Sequence, residues 1–552
     1  MTAVSVIEVP VLVVGGGPTG LSASLLLSRH GIESLTIEKH PGTSIYPRAT
    51  GINVRTMEIF RSLRLEAEVR KSAFDVVPRF ARSRCLVDPE AASGPLLALG
   101  QTSEVSPSRW TSCSQYELEP ILARAAAAQA PARLLFGTEL LGFEDTGRGV
   151  WARIVDLATD QVTEVRSSYL IGADGSRSGV REQLGFRMDG PGELMENISI
   201  HFRAPLRRLM PGEPNFLHFV ETPEATGMFV PTDSAASWMF AIPGGGAKPL
   251  SQSKATELVR AGAGVPDLDV EIIGTVAWTM QADWATRMAS GRVFLAGDAA
   301  HRMTPAGGHG LNTGVQDVHN LCWKLAAVLQ GWAGRALLDT YEAERLPVAR
   351  FNACHSVALI SGAPDANDRS DLDIDLGFTY ESSAVISDGA PAVAGLEAAY
   401  QPNARPGGRA PHLPMGTEMF RTSTLDLFGP GFTLLAGRDG DAWCDAADAV
   451  ARRCGIPMRH KNMAGSRWHR LYGVGDAGAV LVRPDGHVGW RRAVQAAEPR
   501  VEMSKAFNLI LARGGETSQV SDAPTELCCP GPGVKDRQAK CYTKPGVHLA
   551  LS

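Results

Sequence analysis

Residues 8–20 read EVPVLVVGGGPTG, and this stretch decides how the start of the chain folds. Glu8 to Val14 form a short apolar run with β-branched residues, which predicts a buried parallel strand that the glycines end. From Pro18 to His30, leucines recur at helical spacing with small residues between them, so a tightly packed helix is predicted. Ser34 to Glu38 then predict a second strand.

Each glycine of this strand-helix-strand unit has its own purpose. Gly15 permits a tight turn, Gly17 lets the backbone approach a pyrophosphate, and Gly20 lets the helix pack closely on the strand. The helix begins at Pro18, which has no N–H, and offers the free N–H groups of its first turn, from Thr19 onward, together with a positive dipole to the anion.

An acid at the end of the second strand completes the pattern. Glu38 follows Gly20 by eighteen residues and is placed to accept hydrogen bonds from a ribose diol, with Lys39 beside it. Because NAD and FAD present the same ADP half to such a surface, this unit alone does not separate them.

Two further glycine-bearing segments lie far along the chain. Residues 166–173, RSSYLIGA, predict a strand that runs into Asp174, and residues 291–298, GRVFLAGD, predict another that ends at Asp298. A loop rich in glycine and proline follows. From Leu311 onward, apolar residues recur at helical spacing, so the helix start would offer the N–H groups of Leu311 and Asn312.

In this order the segments resemble the motifs of flavoprotein aromatic hydroxylases, the monooxygenases built like p-hydroxybenzoate hydroxylase. Residues 172–176, GADGS, resemble the family's DG motif, and residues 297–312 resemble its GD motif with the proline-rich stretch and GGQGLN that follow. The chain departs from the family twice. Thr304 stands where a second proline is usual, and His309 stands where glutamine is usual.

The resemblance implies FAD as the bound cofactor and NADPH or NADH as a co-substrate. Residues 46–51, YPRATG, resemble the family's arginine loop, so Arg48 would neutralise pyrophosphate charge. Residues 114–119 resemble the segment whose glutamine, here Gln115, contacts FAD, and Asp298 would bind the ribityl chain or its phosphate neighbourhood. Pro305 is the candidate catalytic residue, through the shape it gives the oxygen pocket.

Donors at the second helix start would stabilise the negative charge of reduced flavin. The predicted cofactor-binding residues are Gly15, Gly17, Pro18, Thr19, Gly20, Glu38, Lys39, Arg48, Gln115, Asp174, Asp298, Pro305, Gly308, Gly310, Leu311 and Asn312.

Two histidines of the third segment are candidates for proton transfer, because the imidazole titrates near physiological pH. The family carries an uncharged amide at the position of His309, so we expect a polar role without proton transfer there. We expect His301 to be structural.

The predicted fold class is mixed α/β: a Rossmann-like FAD-binding domain, an inserted β-sheet substrate domain, and a C-terminal domain that resembles thioredoxin. Alternating, aromatic-rich segments predict the strands of the inserted sheet. The expected boundaries are 1–182 and 289–363 for the FAD-binding domain with its closing helices, 183–288 for the sheet, 364–408 for a linker, 409–514 for the thioredoxin-like domain, and 515–552 for an irregular tail.

Composition excludes several classes of protein. The chain has 552 residues and a net charge of -5, so it lacks the basic excess expected of a nucleic-acid binder. No apolar run is long enough to span a bilayer, and no signal peptide is evident, so we expect a cytoplasmic protein without a membrane partner. The nine cysteines form no CxxC motif, which argues against a metal site or a dithiol redox centre. A monomer or a homodimer is expected.

The resemblance implies that NAD(P)H reduces FAD, that O2 adds at C4a, and that the hydroperoxyflavin transfers oxygen to an aromatic ring. The motifs of this chain resemble most those of bacterial enzymes that tailor polycyclic aromatic polyketides, so a polycyclic aromatic phenol is the expected substrate. Baeyer-Villiger or ring-opening oxygenation of a related quinone stays open. A flavin dehydrogenase or oxidase, and a flavin-holding interaction protein, are further alternatives.

Overall fold

The computed structural model describes residues 5–88, 90–95, 102–210, 213–244, 250–363, 369–389, 395–396, 400–416 and 422–514. Its strands are β1 Ser5–Val14, β2 Ser34–Glu38, β3 Gly51–Ile52, β4 Val77–Ser83, β5 Ala92–Pro95, β6 Thr111–Ser112, β7 Ala132–Phe136, β8 Thr138–Asp145, β9 Val150–Asp156, β10 Val162–Gly172, β11 Met188–Arg203, β12 Asn215–Glu221, β13 Thr226–Pro231, β14 Ser237–Pro243, β15 Glu271–Ala285, β16 Ala289–Ser290, β17 Val293–Leu295, β18 His301–Arg302, β19 Phe378–Thr379, β20 Gly395–Leu396, β21 Pro414–Met415, β22 Thr422–Ser423, β23 Phe432–Ala436, β24 Met458–Asn462, β25 Ala479–Val482 and β26 Val488–Arg492.

The α-helices of the described residues are α1 Pro18–Arg29, α2 Val54–Ser62, α3 Glu66–Lys71, α4 Thr102–Val105, α5 Gln115–Ala127, α6 Gly179–Gln183, α7 Gln252–Ala263, α8 His309–Leu329, α9 Thr340–Ser361, α10 Asp371–Leu376, α11 Asp441–Cys454, α12 Ser466–Tyr472 and α13 Pro499–Ile510. Within the described ranges, no helix combines the length and apolar character that crossing a bilayer demands.

The first sheet runs in the order β16-β17-β10-β1-β2-β7, with the β8–β9 hairpin attached to β10. Strands β17, β10, β1, β2 and β7 are parallel. Val11, Leu12 and Val13 are fully buried, so both faces of the central strand β1 are covered. Register pairs Val14 with Gly172 and Gly172 with Leu295, so the strands that precede the three glycine-bearing segments end at one edge.

The second sheet runs in the order β18-β15-β11-β14-β13-β12-β4-β5. Most of it comes from the predicted interval 183–288, but β4 and β5 come from residues 77–95 and β18 from residues 301–302. Strand β4 pairs in parallel with β12 and extends the sheet past that interval. On one face, Phe202, Phe229 and Phe240 form a core with helix α7.

The third sheet runs in the order β24-β23-β25-β26 and packs with α11 and α13. Strands β25 and β26 form the predicted hairpin around Pro484 to Gly486. These three sheets and their helices confirm the predicted mixed α/β class. The stretch predicted as a linker contains helix α10, whose first turn is closed by a capping box at Ser370. The predicted tail, 515–552, lies outside the described residues.

Candidate active site

The three glycine-bearing segments meet at the N-terminus of α1. Gly15 has a positive φ of 109°, and a Cβ there would lie 2.2 Å from the carbonyl oxygen of Ala173. A Cβ on Gly297 would lie 2.6 Å from Oγ1 of Thr19, and one on Gly314 would lie 2.4 Å from the same atom. The first segment therefore contacts both of the others, with no room for additional side-chain atoms.

The glycines of the first segment face different surroundings. A Cβ on Gly20 would lie 1.9 Å from the carbonyl oxygen of Gly15, which is the close packing expected of that position. Gly17 precedes the helix as its N-cap residue, and apart from its chain neighbours no described heavy atom lies within 4 Å of a Cβ built there. The open side of the turn at Gly17 leaves room for a phosphate beside the free N–H groups of Pro18's helix.

Glu38 lies directly beside this turn. Its Oε2 accepts the N–H of Gly16 at 2.7 Å, and its Oε1 accepts the backbone N–H of His40 at 2.9 Å. These bonds fix the carboxylate at the end of β2, where an adenosine ribose is bound in dinucleotide-binding folds. Lys39, next to it, is exposed.

The side chain of Asp174 is engaged within its own loop. Its Oδ1 accepts the hydroxyl of Ser178 at 2.5 Å, and its Oδ2 accepts the N–H of Val180 at 3.1 Å. Arg181 then joins this loop to the third segment, because its guanidinium donates to the carbonyl oxygens of Ser176 and Ala299. Direct contact of Asp174 with a cofactor stays a prediction.

Asp298 and Arg48 are two exposed charged residues of the site. The Asp298 side chain is open to solvent on one side, while protein surrounds it on the others, and this surrounding raises the pKa of the carboxyl. The nearby charges of His301 and Arg48 act in the opposite direction. Arg48 is exposed and forms no salt bridge with any described residue, so its guanidinium is free to meet an anion.

A buried network holds the third segment in place. Asp317 accepts hydrogen bonds from Nε2 of His301 at 2.6 Å, Nε of Arg345 at 2.8 Å and the N–H of Gly297 at 3.1 Å. Burial opposes ionisation of Asp317, but the charges of His301 and Arg345 outweigh it and lower the pKa of the carboxyl. His301 is thus structural, as expected.

The loop at Pro305 leads into α8, which begins at His309, two residues before the predicted start. Pro305, Gly307 and Gly308 are exposed, and no described atom lies within 4 Å of a Cβ built on Gly308 or Gly310. The first helical residues have N–H groups without intrahelical acceptors. An open surface lined by free backbone donors suits an anionic group.

The Asn312 side chain is occupied by protein partners. Its Oδ1 accepts the N–H of Asn53 at 3.0 Å, and its Nδ2 donates to the carbonyl oxygens of Gly51 at 3.0 Å and Gly308 at 2.7 Å. Asn312 therefore fastens the end of the arginine loop to the first turn of α8.

His309 is buried beneath this loop, near His355 of α9. Burial lowers the pKa of His309 to about 3, with a smaller contribution from His355. The imidazole is therefore neutral at physiological pH, which agrees with the expectation of a polar role without proton transfer.

Gln115 of helix α5 is hydrogen-bonded to the arginine loop. Its N–H donates to the carbonyl oxygen of Ala49 at 2.7 Å, and its Nε2 donates to Glu119 at 2.6 Å. Glu119 in turn accepts the N–H of Ser44 at 2.5 Å. Gln115 and Glu119 thus hold both ends of the segment that carries Arg48.

The comparisons with known proteins agree with this geometry. Residues 8–356 match the FAD binding domain family, and residues 403–513 match the C-terminal domain of aromatic-ring hydroxylases. The chain belongs to the FAD-dependent aromatic-ring hydroxylases. It is an FAD-dependent monooxygenase.

Individual relatives of this hydroxylase cover nearly all of it. A putative polyketide hydroxylase of Streptomyces halstedii is 39% identical over 550 residues, which cover 92% of this chain and 98% of the relative. Tetracenomycin A2 monooxygenase-dioxygenase of Streptomyces glaucescens is 39% identical over 557 residues, with the same coverage. The crystal structure of aklavinone-11 hydroxylase with FAD and aklavinone superposes with a TM-score of 0.85 at 37% identity, covering 92% of this chain and 99% of that one.

The second sheet of the hydroxylase closes over the FAD-binding domain with its free face. A Cβ on Gly274 would lie 3.3 Å from the ring of Tyr46 in the arginine loop. His201, the ladder partner of Gly274, lies with its ring centroid 6.2 Å from that of Tyr116 in α5. This face, opposite the core on α7, is therefore turned toward the arginine loop.

Partly exposed side chains form a cross-strand row on that free face. Phe219 pairs with Met228, Met228 with Ala241, Ala241 with Ser199, and Ser199 with Val276. The row is largely apolar and incompletely buried, and it offers a flat wall beside the arginine loop.

A cluster of buried charges joins the C-terminal hairpin to the FAD-binding domain. Glu344 accepts hydrogen bonds from Nζ of Lys324 at 2.8 Å and from Nη1 of Arg483 at 2.6 Å. Burial lowers the pKa of Lys324 to about 8 against the opposing charge of Glu344. Arg483 also pairs with Asp485, whose carboxylate accepts the indole N–H of Trp323 at 3.1 Å.

A cavity of ≈ 20 Å³ lies beside this cluster. Most of its lining residues are polar or charged, and that volume accommodates about one water molecule. Its lining includes Arg55, His319, Asp375, Arg409, Asp485 and His487.

Sequence reasoning missed the residues that hold the segments together. Asp317, Asn320 and Lys324 share one side of α8 and are fully or almost fully buried, although their residue types favour the surface. Their spacing of three and four residues within an apolar helix was the signal that could have indicated a buried polar network.

Proposed function

We propose that this monooxygenase hydroxylates a polycyclic aromatic phenol of polyketide type, with NADPH or NADH and O2 as co-substrates. The observation that carries the proposal is the largely apolar row on the free face of the second sheet, beside the arginine loop. A flat wall of this kind suits a planar ring system. The relatives named for polyketide, tetracenomycin and aklavinone chemistry support the same substrate class.

The residues of the first segment and Glu38 bind the ADP half of FAD. Gly17 leaves space for the pyrophosphate, the N-terminus of α1 supplies N–H donors, and Arg48 supplies the cation. Asp298 accepts hydrogen bonds from the hydroxyl groups of the ribityl chain.

The α8 N-terminus serves the flavin ring. Its free N–H groups and helix dipole stabilise negative charge on the reduced ring, and Gly308 and Gly310 let that ring approach the backbone. When bound, FAD supplies the redox chemistry that takes electrons from the nicotinamide and transfers one oxygen atom of O2 to the substrate.

The protein's own part in the oxygen transfer is geometry and exclusion of water. Pro305 lacks an N–H and fixes the loop at the cleft, so it presents neighbouring carbonyl groups to the reacting centre. His309 is neutral and buried, so we assign it no part in proton transfer. The apolar row of the sheet keeps water away from the substrate ring.

The test is NAD(P)H consumption by the FAD-loaded protein against a panel of anthraquinone- and naphthacene-type phenols, with mass analysis of products formed under ¹⁸O2. We expect substrate-stimulated oxidation and gain of one labelled oxygen with the ring skeleton intact. Peroxide without an oxygenated product would favour an oxidase, and a labelled lactone or opened ring would favour the Baeyer-Villiger alternative. No stimulation by any polycyclic phenol would refute the proposed substrate class.

We also propose that the protein is a monomer or a homodimer. Size-exclusion chromatography with light scattering tests this, and a mass above that of two chains would contradict it.

A further inference from the structure

Helix α10 lies between the two regions that match known domains, residues 8–356 and 403–513, and belongs to neither. It carries Asp375, which is 8% exposed. Oδ1 of Asp375 accepts the side-chain amide of Asn53 at 2.6 Å, and Oδ2 accepts the N–H of Val54 at 3.2 Å. A carboxyl from outside both domains thus holds the N-terminus of α2.

Asn53 connects Asp375 to helix α8, whose N-terminus is assigned to the flavin ring. Its own Oδ1 caps α2 by accepting the N–H of Thr56 at 2.9 Å, while its backbone N–H donates to Asn312 at 3.0 Å. Asn312 in turn binds the carbonyl oxygens of Gly51 and Gly308. Asn53 is therefore the single residue between Asp375 and Asn312, which lies in the first turn of α8.

We propose that Asp375 is a positioning residue for the flavin site. It holds Asn53, and through Asn53 it sets the place of Asn312 and of the first turn of α8. Without Asp375, buried donors on Asn53 and Val54 lose their acceptors, and the local backbone shifts to find others. The proposal rests on the assignment of the α8 N-terminus to the flavin ring.

The neighbouring Asp373 provides a matched control on the same helix. Its Oδ2 accepts the N–H of Ser370 at 2.7 Å and its Oδ1 accepts the N–H of Tyr400, so it supports α10 without touching α2. The variants are Asp375→Ala, which removes both acceptors, Asp375→Asn, which keeps one, and Asp373→Ala.

Two measurements on the purified full-length protein report on the flavin site without any substrate. They are the dissociation constant of FAD, from flavin fluorescence, and the midpoint potential of bound FAD. In Asp375→Ala we expect FAD to bind about tenfold more weakly, because a buried side-chain amide and a buried backbone N–H lose their acceptor. We also expect a more negative potential, because misplaced α8 donors stabilise the reduced flavin less well. Asp375→Asn should change both quantities in the same direction by less, and Asp373→Ala should leave the potential unchanged.

Equal shifts in Asp373→Ala and Asp375→Ala would overturn the proposal, because they would show that only the integrity of α10 matters. Unchanged binding and potential in both Asp375 variants would overturn it as well. If Asp375→Ala does not fold, Asp375→Asn decides between these outcomes. Combining Asp375→Asn with Asn53→Ala should add little to Asn53→Ala alone, and additive effects would contradict the connection through Asn53. Failure of the proposed substrate would leave these flavin measurements intact, so the two proposals fail separately.

Discussion

Replacing Asp317 by asparagine tests whether the buried network holds the flavin segment in place. Asp317 is fully buried and accepts hydrogen bonds from His301, Arg345 and the N–H of Gly297. Asp317→Asn leaves Arg345, which is 1% exposed, without its carboxylate. Breaking one partner of a buried ion pair costs about 3–5 kcal/mol.

The expected change in melting temperature follows from the size of the unfolding unit. Residues 8–356 form the matched domain, and unfolding entropy is roughly 2.1 cal/mol/K per residue, so such a unit gains about 0.7 kcal/mol/K. The destabilisation of Asp317→Asn therefore corresponds to a fall of about 4–7 °C in the transition that releases flavin. Because Gly297 loses a partner beside Asp298, the purified variant should also contain less FAD.

The assay is thermal unfolding followed by flavin fluorescence and by circular dichroism at equal FAD concentration. Asp267→Asn is the matched control, because Asp267 is exposed and lies outside this network. A flavin-release temperature of Asp317→Asn within about 1 °C of wild type, together with normal FAD content, would refute the structural role of the network.

Three further predictions concern the cofactor segments. Glu38→Ala combined with Asp298→Ala should yield a protein that is purified largely free of flavin, as measured by absorbance at 450 nm, and unchanged flavin content would contradict both assignments. Gly20→Ala should lower the thermal stability even without FAD, because its Cβ would lie 1.9 Å from a carbonyl oxygen. Gly17→Ala should instead weaken FAD binding with little change in apoprotein stability. Equal effects of the two substitutions on the melting temperature of the apoprotein would count against this distinction. Burial lowers the pKa of His309 to about 3, so as the pH falls the unfolded chain is protonated at this residue before the folded protein is. The contribution of His309 to the free energy of unfolding is therefore full above pH 6.5 and is lost as the pH falls below that value. Between pH 7.5 and pH 5 this loss is about 2 kcal/mol, and it should be absent from His309→Gln when urea unfolding is compared at the two pH values; identical pH dependence in the two proteins would show that His309 is not the cause.

Local patterns predicted the first βαβ unit well, because strand, glycine turn and helix follow one another within 31 residues, Glu8 to Glu38. The α8 start was placed two residues late because Gly310 lies inside the helix, where glycine is unfavourable. The joining of β4 to β12 was missed, since pairing between residues 77–83 and 215–220 leaves no periodic trace in either segment.

The cofactor residues were named from motifs, but the residues that place them were not. Asp317 and Asp375 contact partners that are distant in sequence, and the chain shows each only as one more polar residue in a helix. Asp174 and Asn312 illustrate the converse: the motif marks both positions, while the structure shows their side chains bonded to protein atoms. Motif membership identifies a site, and contacts decide what each side chain does within it.

The buried cluster of Glu344, Lys324, Arg483 and Asp485 has a consequence for protein engineering. Because Arg483 pairs with Glu344 and Asp485 accepts the indole N–H of Trp323, a chimera with a C-terminal domain from another hydroxylase loses these buried contacts unless both residues are carried over. The same holds for a chain shortened before residue 409, in which Lys324 and Glu344 would open to water. Exchange of the C-terminal domain of this chain is thus constrained at this hairpin, independently of which substrate the donor of the new domain accepts.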